Sequence, residues 1–269
     1  MLQTSFRCFV ASAILAPFLL ALLWTPPLFA EDPDASDAPQ RVAIVLTNHD
    51  RLGETDRPTG FYLSEAAHPW EVFTEAGFDV VLVSPDGGTA PIDPKSLDLG
   101  EPANAAFLGA FPPHEGAVST EKIADAKPAD FDAVFVAGGH GTMWDLPDHE
   151  PLQRLLASVY EQGGVVAAVC HGPAALVNVR LADGSFLVAD KHVAGFTNAE
   201  EDAVQLIDAM PFLLQTKLEE RGAKFMPAGN FEPNVVTDRR LVTGQNPASA
   251  RGTAYAVAQL LREKVAALD

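Results

Sequence analysis

The segment Val165-Val-Ala-Ala-Val-Cys170-His171-Gly172-Pro173 sets one cysteine between a branched apolar run and a helix-starting Gly-Pro. A buried strand that turns sharply into a helix exposes the side chain at its corner. Hydrolases write this nucleophile elbow as G-x-S-x-G, and here it reads Ala168-x-Cys170-x-Gly172. The turn brings the sulfur to the carboxyl end of a sheet, and small residues at 168 and 172 let neighbouring backbone approach. A helix N-terminus behind the sulfur favours the thiolate, which predicts a lowered thiol pKa. The alternative is a buried, inert cysteine.

His171 follows the cysteine directly. Adjacent helical side chains do not face each other, so a Cys170–His171 pair requires an elbow outside regular helix. His140, in Gly138-Gly139-His140-Gly141, closes the preceding apolar run and belongs at the same sheet edge. Gly139 and its neighbours can offer backbone N–H groups to a developing oxyanion. A purely structural glycine turn is the alternative there. The seven histidines, at 49, 68, 114, 140, 149, 171 and 192, form no pair with metal-ligand spacing, so no metal is expected. His114-Glu115 is the weak exception, as part of a surface site. No G-x-G-x-x-G or G-x-x-x-x-G-K is present, and no cofactor is expected.

The elements that must carry these residues alternate in type. Apolar runs at 41–47, 79–83, 133–137 and 165–169 predict strands buried on both faces. Residues 64–76 predict a helix with Ser64 as N-cap, a stop at Gly77, and a kink at Pro69. Residues 85–130, rich in Pro, Gly and Asp, predict an excursion with one or two short helices, and Gly87-Gly88 a turn. A helix is expected over 150–162, stopped by Gly163-Gly164. A small hairpin-like section is expected at 186–189 and 192–195, helical material at 200–221, and short strands at 235–237 and 241–243. A closing helix over 247–265 has Pro247 at its first position. This pattern predicts an α/β fold, a three-layer sandwich with a mainly parallel central sheet, in one domain over 41–267.

The 269 residues are 48% apolar and 20% charged, an ordinary globular balance with material for a sizeable core. A net charge of −18 repels phosphates, so no nucleic-acid partner is expected, nor a basic face for anionic lipid. Residues 1–30 carry one charge, Arg7, an apolar stretch over 8–24, and Leu28-Phe29-Ala30 before acidic Glu31-Asp32. They read as a secretory signal peptide, followed by an acidic linker at 31–40, and the mature protein as exported to a periplasmic or extracellular space. The alternative is a membrane anchor through 8–24. Cys8 lies in the leader, so the mature chain keeps only Cys170 and has no internal disulfide.

Gly139-His-Gly-Thr-Met-Trp-Asp145-Leu-Pro147, Ala167-Ala-Val-Cys170-His171-Gly-Pro173 and Leu241-Val-Thr-Gly-Gln-Asn-Pro-Ala-Ser249 closely resemble the ThiJ/PfpI superfamily. Within it they are similar to the heat-shock chaperone and glutathione-independent glyoxalase branch. Thr59-Gly-Phe-Tyr-Leu-Ser-Glu65-Ala-Ala-His68-Pro69 and Gly195-Phe196-Thr197-Asn198-Ala-Glu200-Glu201 belong to the same pattern. The resemblance implies a flavodoxin-like, class I glutamine amidotransferase-like fold and a homodimer. It implies Cys170 as nucleophile, His171 as its base, and Glu201 as the triad acid with Glu200 as the alternative. Glu65 matches the acid that hydrogen-bonds the sulfur, and Gly139 the oxyanion position. The implied activity is cofactor-independent conversion of methylglyoxal, or a related small 2-oxoaldehyde, to a hydroxy acid. A stress chaperone, a thiol redox sensor and a peptide hydrolase are the alternatives. A glutaminase is disfavoured, since that class uses a distant C-terminal His-x-Glu and no histidine follows His192.

Physical chemistry agrees with those roles. A carboxylate behind His171 would fix its tautomer. A buried Glu65 beside the sulfur would have a raised pKa and keep its proton.

Overall fold

The computed structural model describes residues 39–266 together with Met1. The expected leader at 1–30 and most of the 31–40 linker lie outside the described residues. In chain order the first half runs β1 (Arg41–Val45), α1 (Leu63–Glu75), β2 (Asp79–Ser84), β3 (Gly88–Pro91), α2 (Pro102–Ala110), β4 (Ala117–Lys122) and β5 (Ala133–Val136). The second half runs α3 (Thr142–Asp145), α4 (Glu150–Glu161), β6 (Val165–Val169), β7 (His192–Val193), α5 (Asn198–Ala203), α6 (Leu214–Glu220), β8 (Lys224–Phe225), β9 (Val235–Asp238), β10 (Leu241–Gly244) and α7 (Ala250–Ala266).

Eight strands form one sheet in the order β3-β4-β2-β1-β5-β6-β10-β9. The six inner strands are parallel, and β3 and β9 close the two edges antiparallel. Every residue of β5, β6 and β10 is buried, which matches strands covered on both faces. Helices α1 and α7 pack against each other and along β1, β2, β6 and β10, while α4 lies against β5 and β6. The α/β sandwich with a mainly parallel sheet therefore stands.

Several local expectations are corrected. The 85–130 segment contributes two strands, β3 and β4, that extend the sheet beyond β2, so Gly88 opens a strand. Edge strand β3 holds Gly88 and Pro91, which edges tolerate, and β4 is mostly polar and exposed, so neither shows an apolar run. Helix α1 begins at Leu63 after Tyr62, with no side-chain cap from Ser64, and continues through the buried Pro69. Packing against α2 and α7 holds the segment helical despite the lost hydrogen bond. The 186–195 hairpin is absent: β7 pairs in parallel with the distant β8. The 200–221 stretch divides into α5 and α6, and Pro247–Ser249 form a 3-10 turn before α7.

The chain leaves β1 toward β2 on one side and later returns to place β5 on the other. That reversal makes a crevice at the carboxyl ends of the central strands, where open α/β sheets bind ligands. Both Gly138-Gly139 after β5 and Cys170 after β6 emerge there.

Candidate active site

Cys170 has φ +60, a left-handed backbone that a non-glycine residue adopts at a cost of roughly 1–3 kcal/mol. Two main-chain bonds hold it there. Its N–H donates to the Gly244 carbonyl at the end of β10 (3.0 Å), and its carbonyl accepts from Phe196 N–H (2.8 Å). Behind it Gly172–Leu176 wind as a 3-10 helix, so the elbow lies outside regular α-helix. That freedom lets adjacent side chains meet: Cys170 Sγ is 3.4 Å from His171 Nδ1. Gly172 is required sterically, because a Cβ there would strike the Val136 carbonyl oxygen on β5.

His171 is fully buried, and its Nε2 lies 2.8 Å from Glu201 Oε2. The other carboxylate oxygen, Oε1, lies 3.2 Å from His140 Nε2. One carboxylate thus serves two imidazoles, whose rings sit 4.1 Å apart. The outer face of His171 is covered by Phe196 at 4.4 Å. Glu201 rather than Glu200 reaches the site, since α5 begins at Asn198 and turns the two side chains to different partners. Glu200, fully buried, accepts from Thr197 N–H and hydroxyl, from Phe231 N–H and from Asn246 Nδ2. It pins the loops around the site without touching His171.

Glu65, near the start of α1, is fully buried and accepts from Gly138 N–H at 2.8 Å through Oε2. Its Oε1 has no hydrogen-bond partner among the described residues, yet the group is close enough to Cys170 for each to perturb the other's ionisation. Gly138 is obligatory, because a Cβ would stand 2.6 Å from Glu65 Oε2. Gly139 takes φ +99 and lines the cavity beside Cys170.

Burial governs the proton inventory. It raises Glu65 to about 8, although the nearby Cys170 thiol and the bond from Gly138 N–H pull the other way. It lowers His171 to about 4, with the neighbouring His140 adding repulsion and Glu201 opposing. Burial would also raise Glu201, but the hydrogen bonds from His140 and His171 overcome it and hold the carboxyl at about 2. At neutral pH Glu65 is therefore protonated, Glu201 ionised and His171 neutral. With Nε2–H given to Glu201, His171 Nδ1 is left as an acceptor facing the sulfur. The lowered thiol pKa expected from a helix N-terminus is not found. Burial pushes Cys170 well above the ordinary thiol range, and charge on Glu65 pushes it further. A five-residue 3-10 turn supplies too small a dipole to offset desolvation.

The structure brings together Cys170, His171, Glu201, Glu65, Gly139 and His140, all named from the sequence, and holds Glu200, the alternative acid, on other partners as a scaffold. The sequence reading missed three things. His140 contributes its imidazole to Glu201, not only its backbone. His140, His171 and Glu201 bring three donor atoms within 4.8 Å, a set that could hold a divalent ion. Sequence spacing hid it, because the three come from three different segments. The cavity wall of Phe196, Val204, Leu206 and Phe231 was also unforeseen. His114-Glu115 joins no such donor group among the described residues.

This crevice, with its elbow cysteine flanked by glycine turns, belongs to a recognised class of α/β proteins. The chain matches the DJ-1/PfpI family over residues 58–260 and belongs to it. Glyoxalase 3 of Candida albicans is 34% identical over 231 residues, covering 80% of this chain and 95% of that protein. The glutathione-independent glyoxalase HSP31 of Saccharomyces cerevisiae is 34% identical over 230 residues, covering 81% and 96%. Among solved structures, glyoxalase III from Candida albicans superposes with a TM-score of 0.72 at 33% identity, covering 82% of this chain and 97% of that one. The rapid encystment protein of Francisella tularensis gives 0.78 at 37% identity, covering 82% and 99%.

Proposed function

We propose that this protein is a glutathione-independent glyoxalase, an enzyme that converts methylglyoxal and water to lactate with Cys170 as nucleophile. The observation that carries this reading is the chain of contacts from Cys170 Sγ through His171 to Glu201, with Glu65 and Gly139 beside the same sulfur. Relatives that bear the glyoxalase name match almost end to end.

The chemistry follows from the proton inventory. His171 Nδ1 takes the thiol proton as Sγ bonds the aldehyde carbon. The carbonyl electron pair becomes an oxyanion, which Gly139 N–H and protonated Glu65 receive. The resulting hemithioacetal loses its C1 hydrogen as a proton to an imidazole, giving an enediol. Reprotonation at C2 leaves a thioester, so C1 is oxidised and C2 reduced within one molecule. Water then cleaves the C1–S bond, releasing lactate and restoring the thiol. No external electron acceptor enters this balance. The test is methylglyoxal consumption without glutathione: Cys170→Ala is expected to lose at least about a thousandfold in kcat/KM. A wild-type rate no higher than this control would reject the reading.

We also propose export, because residues 1–30 have the pattern of a signal peptide. The alternative anchor at 8–24 lies outside the described residues, and no described helix is long and apolar enough to cross a membrane. The homodimer implied by the family pattern is likewise a proposal, read by light scattering on the purified chain.

A further inference from the structure

The cavity over Cys170 is larger than methylglyoxal needs. Its volume is about 230 Å³, a little under the ~300–1,000 Å³ of sites that bury drug-sized ligands. A three-carbon dicarbonyl bound at the sulfur leaves most of that space unfilled. The lining falls into two chemical sets. Tyr62, Asp93, Lys95 and His140 are polar, while Phe196, Val204, Leu206 and Phe231 are apolar. The apolar set starts at the reacting groups, because Phe196 lies against His171 at 4.4 Å, and continues outward to Phe231, 6.3 Å from Phe196.

Phe231 is held in place deliberately. Its φ of +61 lies in the left-handed region that bulky residues avoid, and its side chain stays in water with the residue 49% exposed. The N–H of Phe231 donates to Glu200 Oε1 at 2.8 Å, and that fully buried carboxylate also holds Asn246 and Thr197. Such strain persists only where the surroundings over-determine it. Its result is an aromatic ring held over the cavity instead of in the core. An apolar ligand group covering that ring would remove both surfaces from water.

We propose that the site is shaped for 2-oxoaldehydes with an aryl or bulky alkyl substituent, and that Phe231 and Phe196 are its specificity-determining residues. This rests on the glyoxalase reading above. The aldehyde carbon bonds Cys170 Sγ, and the substituent lies along Phe196, Leu206 and Phe231. The chemical balance is unchanged: phenylglyoxal and water give mandelate through the same hemithioacetal, enediol and thioester.

The experiment compares kcat/KM for phenylglyoxal and methylglyoxal. Burying an aryl ring is expected to favour phenylglyoxal by about tenfold or more, mainly through KM. Phe231→Ala is expected to reduce the phenylglyoxal-to-methylglyoxal ratio about tenfold, and Phe231→Leu to retain most of it. Calorimetric binding of mandelate and lactate to the Cys170→Ala protein reads the same preference without turnover. Methylglyoxal turnover with no preference for phenylglyoxal, or a ratio unmoved by Phe231→Ala, overturns this inference and leaves the glyoxalase reading intact. Failure of wild type to consume either aldehyde rejects the parent reading. In that case equal binding of mandelate and lactate overturns the inference as well.

Discussion

Glu201 is the carboxylate that the two imidazoles of the site share. Its two oxygens orient two imidazoles, and its charge fixes the His171 tautomer that leaves Nδ1 free beside the sulfur. Replacing it by Gln keeps the shape but removes the anion, so Glu201→Gln is expected to lose about a hundredfold to ten-thousandfold in kcat. Rescue to near wild-type rate by the amide would contradict that role. The shifted pKa values set the pH profile. His171 accepts a proton below about 4 and can no longer act as base. Glu65 loses its proton above about 8, can no longer donate to the oxyanion, and opposes the thiolate with its charge. A bell-shaped kcat/KM profile with limbs near those two values is expected, and Glu65→Gln should abolish the upper limb. The same group acts on stability. Folded chains keep the Glu65 proton to about 8, whereas its ordinary value is 4.5, so its stabilising share is full below 4.5 and declines as pH rises through 8. The swing is on the order of 5 kcal/mol. Thermal melts should therefore show Glu65→Gln gaining on wild type steadily between those pH values.

At the scale of elements, the elbow works because two strand ends and a connecting segment converge on it. Strand β10 receives the Cys170 N–H, the segment entering α5 gives Phe196 N–H to its carbonyl, and β5 lies against Gly172. Glycine was legible at 172 as a request for close approach, though not the identity of the neighbour. A methyl group there collides with the β5 backbone, so Gly172→Ala is expected to destabilise by about 1–3 kcal/mol and depress activity together. Denaturant titration checks the first and the dicarbonyl assay the second. An unchanged unfolding midpoint would mean that the strand ends move apart freely. Short helix α5 shows how one turn separates tasks: Glu200 closes the capping box with Thr197, and Glu201 faces the histidines.

At the scale of the molecule, the reversal of strand order beside β1 decides where chemistry is possible. Loops after β5 and β6 open into one crevice there, and α1 brings Glu65 beneath it from the far side of the sequence. The net charge of −18 belongs to this scale too, since it repels other bodies rich in phosphate at long range. If the leader is removed as its pattern suggests, mass spectrometry of the exported protein should find Glu31 as the first residue. An intact N-terminus in the membrane fraction would favour the anchor instead.

Local pattern determined the strand-to-helix alternation and the elbow at Cys170, and the family motifs pointed to Glu65, Gly139 and the pair Glu200–Glu201, of which the fold turns Glu201 to the histidines. These features are written in neighbouring residues: apolar runs, glycines at close approaches, and a cysteine at a turn. Tertiary structure decided the rest. Strands β3 and β4 became visible only through their partners, since edge strand β3 carries Gly and Pro that read as loop and β4 lacks an apolar run. The second imidazole on Glu201 and the Phe196–Phe231 wall join residues dozens of positions apart. The thiol's raised pKa likewise depends on how deeply Cys170 is packed and on the approach of Glu65 from α1. Burial and charge proximity are properties of the folded chain, and no spacing along the sequence encodes them.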